Sequence, residues 1–128
     1  MQIIIENPPN ILKIKQVFDI EDKKMVFCWG DVLYNPSGLN IADHIKIHEL
    51  VHSRQQVIPQ AWWDKYLIDS EFRLSQELEA YRAQYQFAKK FIKDRNVLAR
   101  FLWVIASDLA NLYNVNISRQ EAMKQIKQ

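Results

Sequence analysis

The chain holds one cysteine, two glycines, four prolines and three histidines among its 128 residues. A lone cysteine, Cys28, closes no internal disulfide, so the fold does not depend on an oxidising compartment. With so little glycine and proline, collagen-like and low-complexity structure are excluded and the composition leans towards helix. Long apolar runs are missing too. Phe101 to Ala106, the longest, falls far short of a bilayer span. Met1 to Glu6 carries three isoleucines but neither the basic start nor the apolar length of a signal peptide. These absences lead us to expect a cytoplasmic chain with no membrane partner. What is present is globular: 48% hydrophobic and 25% charged residues, in a length that suits one domain spanning 1–128 and burying roughly two-thirds of its unfolded surface.

Charge is nearly balanced at +2 but unevenly spread. Residues 1–88 hold nine Lys/Arg and twelve Asp/Glu, whereas residues 89–128 hold eight and three. A basic C-terminal part could attract an acidic partner, but no aromatic-interleaved basic motif accompanies it, so nucleic acid is not the expected ligand. A solvated helix face is the plainer reading.

Scarce as histidine is, two of the three lie in His48-Glu49-Leu50-Val51-His52, an H-E-x-x-H motif. Residues four apart share one helix face, so both imidazoles can address one metal ion while Glu49, offset around the helix, faces a water on it. Average composition puts this pattern in well under ~1% of chains of this length, which makes chance a poor explanation. The surrounding pattern agrees with a helix from about Ile41 to Gln56, with Asn40 and Asp43 resembling its N-cap region. Upstream, Gln2 to Ile5 reads as a strand and Ile11 to Phe18 as a short helix. Lys24 to Trp29 and Val32 to Tyr34 form a predicted hairpin about Gly30-Asp31. Downstream, Ala61 to Ile68, Glu71 to Lys93 and Val97 to Leu112 are helix-like, and Ser118 with Glu121 opens a last helix to about Ile126. The expected fold class is α+β, a small antiparallel sheet packed on the motif helix with several further helices.

A catalytic zinc takes three protein ligands, so a third must be found. His44 lies eight residues from His52, roughly 12 Å along a helix, too far for one ion to join all three from a straight helix. It reads as a supporting residue near the helix start. The better source is the acidic cluster Glu77-Leu78-Glu79-Ala80-Tyr81, beginning 25 residues after His52.

This combination resembles the gluzincin metallopeptidases, whose third ligand is a glutamate in an E-x-x-A or E-x-x-S pattern on the helix after H-E-x-x-H. The matched region runs from about Val26 to Gln86. The match resembles compact single-domain members, including short proteins carried by phages and prophages. By that resemblance Glu77 is the third ligand beside His48 and His52, the cofactor is Zn2+, and Glu49 is the general base of a peptide-bond hydrolase acting on a peptide or protein. Small Ala80 would let the two helices approach, and Glu79, about 200° round the helix from Glu77, points elsewhere. Tyr81 stands where many members carry a supporting Asp. The resemblance also implies that Asp31 to Asn35 is an edge strand lining the cleft, to which substrate adds as a strand. Tyr66, Tyr81 and Arg73 are candidate oxyanion donors.

Plainer readings stand beside these. Glu77 and Glu79 could be solvated charges pairing with Arg73 or Arg82. Trp62, Trp63 and Tyr66 suit a core or a cleft wall, and Cys28 a buried small hydrophobe. The alternative function is a non-catalytic zinc-binding module that engages a protein partner, or a nucleic acid, through its basic C-terminal part.

Overall fold

A computed structural model describes residues 1–21 and 24–128. Among them are three short strands, β1 (Gln2–Ile4), β2 (Phe27–Trp29) and β3 (Val32–Tyr34). There are six helices: α1 (Ile11–Val17), α2 (Asp43–Gln55), α3 (Pro59–Ile68), α4 (Ser70–Phe91), α5 (Arg95–Leu112) and α6 (Arg119–Lys127). The class is α+β, as the sequence predicts.

The hairpin forms where the Gly-Asp pair places it. Gly30 sits at φ +60, the left-handed region that glycine enters without a Cβ clash, and an added Cβ would come within 3.3 Å of the Pro59 ring. Its first strand is shorter than expected, beginning at Phe27 and not at Lys24. Phe27 pairs with Tyr34 and Trp29 with Val32 in antiparallel register. On the other side of β3, β1 runs parallel, pairing Gln2 with Val32 and Ile4 with Tyr34. The sheet is therefore mixed, not antiparallel throughout.

That pairing overturns the expected cleft strand. Asp31 to Asn35 contains β3, which is the middle strand, covered by β1 on one side and β2 on the other. No edge of β3 is left for a substrate strand. The hairpin is a local signal, but the return of the N-terminus to its far side is a long-range pairing that no short window of sequence records.

Helix starts follow local chemistry, with two departures from expectation. Asn40 does not cap α2; Ala42 occupies the N-cap and supplies no side-chain bond. α3 begins two residues before the expected Ala61: Pro59 opens it at the first-turn position, where its missing N–H leaves no helical bond unmade. Asp69 caps α4 by accepting from Phe72 N, and α4 continues unbroken past Ser75, whose hydroxyl donates back to the Phe72 carbonyl. Asp94 caps α5 and Ser118 caps α6.

Two apolar clusters flank the site. One joins Leu78 and Tyr85 of α4 to Leu102, Ile105 and Leu109 of α5 and Ile126 of α6. The other gathers Ile14, Phe27, Trp62, Trp63, Tyr66 and Leu67 beneath the sheet. Each fully buried side chain of this kind contributes about 1.5–3 kcal/mol. Between the clusters α2 packs along α4. Arg73 ties the halves together, donating to the carbonyls of Tyr66, Tyr113 and Asn114. No helix among the described residues is long and apolar enough to cross a membrane.

Candidate metal centre

The seam between α2 and α4 is polar where a helix interface is ordinarily apolar. From α4, Glu77, Ala80, Tyr81, Gln84 and Ala88 share one buried face at spacings of three and four. From α2, His48, Val51 and His52 do the same. Ala80, 0% exposed, keeps the helices close. Burying ionisable groups costs several kcal/mol each unless they find partners, and here they find one another.

The Nε2 of His48 lies 3.0 Å from Glu77 Oε1 and the Nε2 of His52 3.0 Å from Glu77 Oε2. The three ligand atoms all lie within 4.8 Å of one another. Two imidazole nitrogens and a carboxylate oxygen form a donor set that could hold a metal ion. With bonds of about 2 Å, tetrahedral ligand atoms stand about 3.3 Å apart, so the two 3.0 Å contacts would open slightly and any ligand atoms as far apart as 4.8 Å would draw in to share one ion. His48, His52 and Glu77 thus converge as the motif and its downstream acid predict.

What fixes the ring orientations is a pair of glutamines. Gln55 Oε1 lies 2.8 Å from His52 Nδ1, and Gln84 Oε1 lies 2.8 Å from His48 Nδ1. Gln55 Nε2 donates to the Gln76 carbonyl at 3.1 Å and to Glu79 Oε1 at 2.9 Å. Both of those groups only accept, so the amide oxygen must face the imidazole and Nδ1 must carry a hydrogen. The Nε2 of His52 is thereby turned towards the centre, and the contact of Gln84 with Nδ1 of His48 goes with an Nε2 turned the same way. Gln84 Nε2 donates to His44 Nδ1 at 2.8 Å, which makes His44 a support at one remove and not a ligand. Neither glutamine stands out in the sequence. Their signal is spacing: Gln55 follows His52 by three positions, and Gln84 follows Glu77 by seven on the same face.

The remaining candidates take other roles. Tyr66 donates its hydroxyl to Glu77 Oε2 at 2.6 Å, so it steadies the carboxylate and is not a free oxyanion donor. Arg73 is spent on three main-chain carbonyls and is not one either. Tyr81 supports His48 by packing, its ring edge-on at 4.4 Å, while its hydroxyl meets that of Tyr113 at 2.8 Å. Glu79 is exposed and acts through Gln55. Trp62, Trp63 and Tyr66 are both core and wall of the site. Cys28 is buried and its thiol donates to the Gly30 carbonyl at 3.3 Å; burial pushes the thiol far up, out of the range of a reactive thiolate. Gln56, also unforeseen, bonds Gly30 N and the Cys28 carbonyl, fastening the hairpin to the end of α2.

Electrostatics follow from the geometry. Burial would lower His52, but the charge and hydrogen bond of Glu77 outweigh it and raise the imidazole to about 9. Burial would raise Glu77, but His52 and His48 hold it well below the usual carboxylate range. Glu49 differs: burial raises its carboxyl and the two histidines only partly offset this. Among the described residues Glu49 forms no ion pair, and it borders two cavities. One, of about 60 Å³, is walled by His48, His52, Glu77 and the aromatic cluster; the other is a groove of about 560 Å³ beside α5.

The chain matches no known protein family, curated protein or solved structure in these comparisons. Its reading therefore rests on the geometry.

Proposed function

We propose that the protein is a zinc-dependent hydrolase of peptide bonds, of minimal gluzincin type, with His48, His52 and Glu77 as metal ligands and Glu49 as general base. The observation that carries this reading is Glu49 itself: a buried carboxylate beside the ligand cluster, without an ion-pair partner among the described residues, facing a cavity large enough for water. A purely structural site has no need of such a group. Two imidazoles and one carboxylate suit zinc better than the oxygen-seeking magnesium or calcium, and three protein ligands leave one position open. When bound, the ion supplies a Lewis acid for the substrate carbonyl and lowers the pKa of water.

The chain's own residues do the rest. Glu49, raised by its burial, takes the proton of the attacking water and hands it to the departing amine nitrogen. Tyr66 and the two glutamines hold the ligand atoms in place. The aromatic wall limits water around the reacting groups. Metal analysis coupled to a peptide-cleavage assay tests the reading. A metal-loaded protein inert towards a broad peptide library would favour the non-catalytic module instead.

A further inference from the structure

α5 has two apolar stripes. Leu102, Ile105, Ala106 and Leu109 are buried in the cluster with α4 and α6. Val97, Phe101, Val104 and Leu112, at helical spacing on the neighbouring face, border the 560 Å³ groove. Val97 and Val104 are 46% and 45% exposed. The opposite wall comes from the first half of α2, where His44, Ile45, His48 and Glu49 line the same space. At its Leu112 end the groove shares His48, Glu49, Met25 and Val26 with the smaller cavity at the ligand cluster. The groove thus ends at the general base.

The two sides of that position are unequal. From Val97 to Leu112 the helix rises roughly 22 Å at ~1.5 Å per residue, the length of six or seven residues of extended chain at ~3.3 Å each. Beyond Glu49 the described residues leave a smaller, partly open chamber of about 60 Å³, walled by Phe27, Trp62, Trp63 and Tyr66. Charge differs between rim and interior: among the described residues exposed Lys24 and Arg100 stand on the lip, whereas the two acids of the lining lie deeper, Asp108 half-buried and Glu49 buried. Arg100 lies twelve residues from Leu112, roughly 18 Å from the reacting end at ~1.5 Å per residue.

We propose that this groove is the substrate channel, and that it selects an extended peptide with large apolar side chains and a distal acidic residue on one side of the cleaved bond, and a small residue on the other. This rests on the hydrolase reading, but its binding step can be measured without turnover. Labelled synthetic octapeptides are titrated into zinc-loaded Glu49→Gln protein and followed by fluorescence anisotropy. One peptide carries a terminal alanine, a run of Leu and Val, and a distal Glu; its reversed-order counterpart covers the other chain direction. Controls replace the run by serine, the Glu by Lys, or the alanine by Trp. The apolar, Glu-bearing peptide in its better direction should bind at least tenfold more tightly than the serine and Trp controls. Val104→Asp, at an exposed position that need not disturb folding, should weaken it about tenfold. Arg100→Glu should shift the Glu-over-Lys preference by about two- to fivefold towards Lys, the scale of an exposed ion pair. Equal binding of the apolar and serine peptides, or an affinity unmoved by Val104→Asp in a folded, zinc-bearing variant, overturns the channel. Wild-type cleavage is read separately. Cleavage with a KM that Val104→Asp leaves unchanged removes the channel and keeps the hydrolase; Val104-dependent binding without cleavage keeps the channel and removes the hydrolase.

Discussion

Glu77 receives the Tyr66 hydroxyl and lies against both imidazoles, whereas Glu79, two positions on, stands in solvent and meets the site only through Gln55. Glu77→Gln should therefore lose metal by more than the roughly 10–100-fold expected of a supporting residue, and Glu79→Gln by no more than that range. Metal titration of both variants decides it; a Glu79→Gln protein that loses its metal while Glu77→Gln keeps it reverses the assignment. Gln84→Leu removes the acceptor that orients His48 and the donor that meets His44. It should lower metal affinity by roughly 10–100-fold with the helices intact, read by competition with a chelating dye alongside circular dichroism. At this scale the sequence was informative where rare residues recur at fixed spacing: His48, His52 and Glu77 come together as their pattern places them, with buried Glu49 beside them. It was silent on the amides, because glutamine on a helix is ordinary and only the facing helix shows what it touches.

The seam of α2 and α4 converts those spacings into a centre. Ala80 has no exposed surface, and the residues on either side of it in the face, Glu77 and Tyr81, both reach His48. Ala80→Leu would add three carbons where none fit, costing about 1–3 kcal/mol and drawing Glu77 away from the histidines. The melting temperature should fall by on the order of 5–10 °C and metal binding should weaken with it; unchanged values for both would show that the seam is looser than the structure has it. Local elements were legible for local reasons: the Gly30 turn, the Ser118 cap and the apolar period of α5 each lie within a few residues. The sheet order was not. β3 became the middle strand because β1 pairs along its side opposite β2, and the cleft that its edge was expected to line is proposed instead to be the groove along α5.

Over the whole molecule, the proposed metal site would link metal, proton and fold. In the metal-free protein His52 is held at about 9 against an ordinary 6.5, and Glu77 sits below its ordinary 4.5. A raised histidine contributes its stability fully below its unfolded value and loses it as pH rises through the folded one. A depressed carboxylate contributes above its unfolded value and loses its share as pH falls. The metal-free pair thus stabilises most between about 4.5 and 6.5 and fades towards pH 9. A metal needs His52 neutral and displaces its proton, so metal affinity rises across the interval in which the metal-free fold weakens. The gap in melting temperature between metal-loaded and chelator-treated protein should widen from pH 6 to pH 9; a constant or narrowing gap contradicts the linkage. The pattern of local elements indicated the fold class of the molecule but not this coupling, nor the groove, because both arise only when helices far apart in sequence meet.

The most direct test is Glu49→Gln, which keeps the shape of the side chain and removes its proton-accepting oxygen. Wild type and variant, each loaded with zinc and checked for close to one ion per chain, are assayed on one cleavable peptide. The account predicts equal metal content and melting temperature, and a rate lowered by about 10²–10⁴-fold in the variant. A variant that cleaves as fast as wild type, or a loss of rate that follows loss of the metal, would contradict it.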